Sequence, residues 1–386
     1  MIRPETEAEL AGVIRDARRP FRIQGGGTRS VGGTGAGDVP DVLDMSGLSG
    51  VTFYDPGALT MVAQAGTPLA EIETVLAAEG QHLAFEPPDY RPLLGTTGEP
   101  TIGGVVAGNI SGPRRVRAGA CRDFMLGVRF VDGHGALIRN GGRVMKNVTG
   151  YDLVRLMTGS WGTLGVLTEV AFKVLPKPEA AACLKIYGLT GARAVGAMSR
   201  ALGSPYEVTG AAHVPADAGN DPVTLIRIEG FAHSVTRRTE RLKTLLTDAG
   251  EITVVTDPAE VRRQWRALGC AGRFHGDGGD VWRLSVPPSQ APGLVARMPE
   301  GTAVILDWGG GLIWASCRAG GDLRAHLGAF DGHAMLVRAD DATRRALGTF
   351  QPEPPPLARI SAGLRARFDP RGLLNPGITG GTEAME

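Results

Sequence analysis

The ten residues Pro100–Asn109, PTIGGVVAGN, constrain this chain more than any other stretch. Thr101 closes a polar turn, Gly103 and Gly104 follow, and a run of small apolar residues ends at Asn109, the pattern of a tight entry into a short buried helix. The first N–H groups of such a helix lack partners within it, and glycine leaves the main chain bare. A flat or anionic ligand can therefore lie directly against this backbone. A Gly-Gly pair by itself serves equally well as a close-packed turn. Three further stretches favour the ligand. FRIQGGGTRS, Phe21 to Ser30, reads as a strand running into a glycine loop whose N–H groups and Arg29 can surround a phosphate. Gly150 to Pro176 combines a short helix, a glycine-punctuated turn over Gly159–Gly165 and a long strand. RFDPRGLLNPG, Arg367 to Gly377, closes the set.

In this order and spacing the four stretches resemble the FAD-binding domain of the vanillyl-alcohol oxidase and p-cresol methylhydroxylase (PCMH) family, over residues 1 to about 180 and the last thirty or so. Within it, VMKNVTGYDLVRLMTGSWGTLGVLTEV, VWRLSVPPS, DGHA and FDPRGLLNPG look like the smaller FAD-binding subunits of bacterial glycolate-oxidising complexes. The resemblance implies an α+β architecture: a two-part PCMH-type FAD-binding domain over residues 1–178, a smaller α+β cap or substrate domain with an antiparallel sheet over 180–350, and a C-terminal segment, 357–386, that returns to the FAD domain.

Composition narrows the alternatives. The formal net charge is +1, from 41 Lys+Arg against 40 Asp+Glu, so no basic field exists for nucleic acid or an anionic membrane. Cys121, Cys183, Cys270 and Cys317 stand far apart, without the spacing of a disulfide framework or an iron–sulfur site. The N-terminus is polar and no apolar run reaches membrane-spanning length. The expectation is a cytoplasmic protein that meets the inner membrane only peripherally, through partners.

Along the chain, Thr6 and Glu9 form a capping box for a helix reaching about Arg18, and FRIQ then delivers the glycine loop. Thr67-Pro68 starts a helix that ends before Gly80, and LGVRFVD with ALIRNGG forms a hairpin. The Pro176–Pro178 pair marks the domain boundary. Beyond it strands and helices alternate, as expected of an antiparallel sheet with helices on one face. PEPPP at 352–356 is a stiff linker into a last helix, Leu357 to Phe368.

FAD requires N–H donors near positive charge for its pyrophosphate and a flat slot for its ring. Gly25, Gly26, Gly27, Thr28, Arg29 and Ser30, with Thr101, Ile102, Gly103, Gly104 and Asn109, are expected to serve the first need. The resemblance implies that Ser160, Gly162, Thr163, Leu164, Gly165, Val166 and Asn375 face the cofactor, with Asp152 orienting backbone nearby. Neither GxGxxG nor GxxxxGK[ST] occurs, which excludes Rossmann and P-loop readings. Covalently flavinylated relatives carry His where this chain has Thr28, so the FAD is expected to be non-covalent. A small 2-hydroxy acid needs a cation for its carboxylate and a base for its hydroxyl. Arg283 and His333 are the catalytic candidates, with Arg338 beside them, although His333 reads first as a hydrogen-bonded structural histidine. HGDGG, His275 to Gly279, lacks the Asn and second His of the HxGDGN stretch in related catalytic flavoproteins and reads as a surface turn. No metal site is expected. The resemblance implies a subunit that passes electrons to an iron–sulfur partner beside a larger FAD-binding catalytic subunit. A structural flavin subunit without its own turnover, and a stand-alone flavin oxidase, remain the alternatives.

Overall fold

The computed structural model describes residues 1–29, 41–143, 150–216 and 221–378. The chain divides into two compact units. The first comprises Met1–Ile110, Ala120–Pro176 and Gly348–Glu386, and the second Ser111–Gly119 with Lys177–Leu347. The excursion of residues 111–119 into the second unit was not legible in the basic segment RRVRAGACRD.

The first unit holds two sheets. Phe21–Gln24 pairs in parallel with Asp41–Asp44, and a five-stranded antiparallel sheet runs in the order Val51–Asp55, Thr60–Gln64, Val166–Lys173, Met125–Val131, Leu137–Gly141. Helix Glu7–Asp16 starts at Thr6, whose Oγ1 accepts the N–H of Glu9, and it buries Leu10 and Ile14 against Phe21, Leu43, Val131, Leu373 and Leu374. Asp132 Oδ1 accepts the N–H groups of His134 and Ala136, which closes the turn of the expected hairpin.

The C-terminal motif is a clasp. Helix Pro355–Phe368 begins inside the proline run, because proline at the first helical position is preset for the helix and lacks an N–H that would go unpaired there. Beyond it the Asp369 carboxylate accepts the N–H groups of Leu373 and Leu374, and Phe21 donates its N–H to Leu373 O and accepts that of Asn375. Arg371 donates to the carbonyls of Ile14, Arg15 and Gly133, covering the C-terminal end of helix Glu7–Asp16.

The second unit is built on an eight-stranded antiparallel sheet. Its order is Ile252–Val255, Ala180–Tyr187, Val223–Gly230, Val208–Val214, Ala303–Asp307, Leu312–Cys317, Asp280–Ser285, His333–Arg338. Helices Gly191–Leu202 and Ala232–Leu245 cover one face over a core of Leu184, Ile226, Ile228, Trp282, Leu284 and Leu306. Helix Pro258–Gly269 packs on the other face, where Trp265 lies under Arg227 with guanidinium and ring 4.5 Å apart, so the helices are not confined to one side.

Candidate functional site

A cleft in the first unit encloses about 1180 Å3, the open solvent at its mouth included. Strand Phe21–Gln24 leads into it, and the loop Gly25–Arg29 forms one wall. Here glycine is a steric requirement. A Cβ on Gly26 would sit 1.6 Å from the Glu99 carbonyl oxygen, one on Gly25 would sit 2.3 Å from Thr101 Oγ1, and Gly27 holds φ 68°. With one side of the loop pressed on residues 98–101, its N–H groups are left over. Among the described residues, those of Gly25, Gly26, Gly27 and Thr28 donate to no protein acceptor. Arg22 and Arg29 also line the cleft, and its described lining holds no carboxylate. Arg29 donates to Pro88 O at 2.7 Å and lies over the Tyr90 ring at 5.2 Å, which holds its charge in place.

Helix Ile102–Ala107 contributes differently from expectation. Its first N–H groups are already engaged: Ile102 donates to Thr67 O, Gly103 to Ala65 O and Gly104 to Thr101 Oγ1. No donors remain there to grip an anion. A Cβ on Gly103 would meet Ala65 at 2.6 Å, whereas one on Gly104 meets only Thr101 Oγ1, at 3.4 Å. Gly103 therefore lets the helix dock on the strand end, and Gly104 presents a bare Cα to the cleft.

The turn after helix Leu153–Met157 forms the far wall through Trp161, Gly162 and Gly165. Gly159 and Trp161 donate to the carbonyls of Val106 and Ala107, so this turn caps helix Ile102–Ala107. Asn375 staples the two walls together: its Oδ1 accepts the N–H of Ile23 and its Nδ2 donates to Trp161 O, both at 2.7 Å.

Of the cofactor positions expected from sequence, Gly25, Gly26, Gly27, Thr28, Arg29, Thr101, Gly103, Gly104, Gly162, Gly165 and Asn375 line the cleft. Ser30 lies outside the described residues. Ile102, Leu164 and Val166 are core side chains instead. Ser160 Oγ donates to Met157 O and Thr163 Oγ1 to Ser160 O, both local turn bonds. Asn109 accepts the N–H of Arg122, and Asp152 is the half-exposed N-cap of helix Leu153–Met157, accepting the N–H of Arg155. Sequence reasoning missed Arg22, Gln24, Met45, Ala65, Ala107, Trp161, Pro376 and Ile378 in the lining. Arg22, Gln24, Ala107, Trp161 and Pro376 lie inside the four quoted stretches, whereas Met45, Ala65 and Ile378 carried no signal.

Arg283 and His333 lie in the second unit on neighbouring strands; Arg283 pairs with Met335, and Ser285 with His333. Arg338 donates instead to the carbonyls of Gly279 and Phe274. His275 contacts the Cys270 carbonyl through Nε2 at 3.0 Å and Asp277 accepts from Ser316, so the HGDGG stretch is bonded to neighbouring parts of the second unit. All four cysteines are free and buried, and burial pushes the thiols of Cys183 and Cys317 up to about 11. Among the described residues no cluster of metal-ligating side chains occurs, and no helix is long and apolar enough to cross a membrane.

Residues 1–141 match the family model described as an FAD binding domain. The chain is 36% identical to glycolate oxidase subunit GlcE of Escherichia coli (strain K12) over 93% of its own length and 92% of that protein's. It is 29% identical to glycolate oxidase subunit GlcD of Bacillus subtilis (strain 168), over 67% of its own length and 57% of that protein's. Among solved structures, an alkyldihydroxyacetonephosphate synthase superimposes with a TM-score of 0.69 at 17% identity, covering 97% of this chain and 76% of that one, which supports the fold alone.

Proposed function

The chain belongs to the family of glycolate oxidase subunit GlcE, and on that premise we propose that it is the FAD-binding subunit of a multi-subunit oxidase of 2-hydroxy acids, glycolate among them, whose electrons leave through an iron–sulfur partner. The observation that carries the reading is the loop Gly25–Thr28, whose N–H groups donate to no described protein acceptor at the wall of a cleft lined by Arg22 and Arg29. That donor set suits the pyrophosphate of FAD. The bare Cα of Gly104 and the turn at Trp161–Gly162 suit a flat ring. When bound, FAD supplies the acceptor for the hydride of the CH–OH group. The protein's part is to hold and orient it: the loop receives the phosphates, Arg29 balances their charge, and Asn375 keeps strand and turn in register.

The cofactor is held without a covalent link. Thr28 is buried, its carbonyl accepts from Thr96 Oγ1, and the described lining of the cleft contains no His, Cys or Tyr. Acid precipitation of the holoprotein leaves the yellow colour in the supernatant; colour retained in the pellet would overturn this.

The complex supplies what this chain lacks. Its four buried cysteines offer no iron–sulfur relay, and His275 and Asp277 of the HGDGG stretch are bonded to Cys270 and Ser316. A larger FAD-binding subunit similar to GlcD and an iron–sulfur subunit complete the path. Purified alone with glycolate and an artificial dye, the chain leaves the dye oxidised, and co-expression with both partners restores dye reduction. Rapid flavin bleaching by glycolate in the lone chain would place turnover within this subunit.

A further inference from the structure

Helix Pro355–Phe368 is 14 residues long, and none of its side chains is buried. One side, formed by Ala358, Ser361, Leu364, Arg365 and Phe368, is half-buried, and the Phe368 ring lies 6.2 Å from that of Phe130. Beside it Leu357 and Ile360 stand 53% and 61% exposed. With Leu364 they follow helical spacing, so they form an apolar ridge that the described residues cover only at its Leu364 end.

Its own sequence does not hold such a helix. Isolated helices of about this length are marginal in water, and in proteins the packing of an apolar face supplies most of their stability. Gly363 lies in the middle, where glycine weakens a helix relative to alanine, and no Asp or Glu occurs from Pro354 to Phe368 to form ion pairs along it. The outward ridge next to Ile360 is Arg359, Gly363 and Arg367, each one helical turn from the next. A Cβ on Gly363 would meet nothing within 4 Å. Arg359 and Arg367 are both exposed, and among the described residues neither guanidinium has an ion-pair or hydrogen-bond partner. An apolar ridge beside a basic one is complementary to an apolar groove with carboxylates along one rim.

We propose that the exposed side of helix Pro355–Phe368 docks a partner protein of the complex, whose apolar groove takes Leu357 and Ile360 and whose rim carboxylates meet Arg359 and Arg367. The proposal rests on the reading of the chain as a subunit of a multi-subunit oxidase and gives that assembly a surface. Beyond the helix the chain runs through the Asp369 clasp to Asn375 and Pro376 of the cofactor cleft, so a partner seated here adjoins the segment that staples the cleft walls. A second copy of this chain would set the same arginines against one another. A membrane would take from this helix two exposed aliphatic side chains and no exposed aromatic one, and firm anchoring needs more apolar area. A protein groove needs no more than such a pair as its anchor.

The full-length chain, affinity-tagged, is co-expressed with the larger flavoprotein subunit and the iron–sulfur subunit, and the partner recovered with it is measured. Leu357→Asp with Ile360→Asp lowers that recovery about tenfold or more. Arg359→Glu with Arg367→Glu lowers it about fivefold, and added salt lowers it in the parent. Phe231→Asp, the same kind of change at a 79% exposed position of the second unit, leaves recovery unchanged. Flavin absorbance and melting temperature keep the parent's values in all three variants. If the Asp pair melts lower, Leu357→Ser with Ile360→Ser decides: recovery lost supports the surface, and recovery kept overturns it. A folded Asp pair that recovers as much partner as the parent overturns the surface alone. A parent that recovers neither subunit overturns the complex, and the surface with it. Flotation of the lone chain with phosphatidylglycerol vesicles, or a dimer of the lone chain, abolished by the Asp pair while subunit recovery is unchanged, overturns it in favour of a membrane or a second copy.

Discussion

The cleft of the first unit offers a ligand main chain: the N–H groups of Gly25–Thr28 and the bare Cα of Gly104. The second unit is instead marked by placed charges: Arg115 and Arg283 lie over the Trp308 ring, and Arg114 and Arg227 flank the buried Glu229. A phosphate-bearing cofactor common to many enzymes can be gripped by backbone, since backbone donors are the same in every sequence, and only the glycines that allow close approach must be kept. The two units therefore respond to mutation in opposite ways: the cleft to added bulk, the second unit to removed charge.

The largest expected effect comes from adding bulk to the cleft. Gly104→Val projects a branched side chain where a Cβ meets only Thr101 Oγ1, so the fold survives and FAD content falls more than tenfold in the visible spectrum. Gly278→Val, at a position whose Cβ meets nothing within 4 Å, leaves flavin unchanged. Equal flavin in the Gly104 and Gly278 variants would dissolve the contrast between the units.

Removing charge from the second unit comes next. Glu229 is buried between Arg114 and Arg227; burial alone would raise its pKa, but the two guanidiniums outweigh it and hold the carboxyl at about 2. Glu229→Gln removes the carboxylate that both arginines share. The expected loss is about 3–5 kcal/mol in urea melts, with the first unit's flavin content unchanged. A melt that does not shift would show that the network does not anchor residues 111–119.

Acid sharpens the contrast further. His213 is 1% exposed, with Nδ1 2.9 Å from Thr224 Oγ1, and burial lowers its pKa from 6.5 to about 4. Its protonation is disfavoured in the folded state, so the contribution is whole above pH 6.5 and declines as pH falls toward 4, by about 3 kcal/mol. Glu229, also depressed, adds loss in the same direction between pH 4.5 and about 2. His213→Gln is expected to flatten the upper window in melts taken from pH 7 to 4. An unchanged slope would remove His213 from the account.

The smallest effect belongs to Asp152, expected from sequence beside the cofactor and found as a half-exposed N-cap. Asp152→Ala costs about 1 kcal/mol of stability and leaves FAD affinity as it was. A drop in flavin content would return this residue to the site.

Much of this molecule follows from local pattern. The capped first helix, the FRIQ strand, the hairpin after Met125, the α+β class and the glycine loop are properties of short stretches, in which turn chemistry and periodicity act over a few residues. The sequence by itself therefore determined where backbone must be bare. Tertiary structure decided what that bareness is for. Gly103 and Gly104 look alike in sequence, yet the strand end at Ala65 takes the N–H of the first and the cleft takes the face of the second. Asn375 reads as a cofactor residue, but its amide bonds Ile23 and Trp161, partners hundreds of positions away. Arg115, Arg283 and Trp308 share no spacing at all. The two guanidiniums meet over the indole because residues 111–119 join the second unit, and such contacts are made by the folded sheet rather than by any stretch of chain.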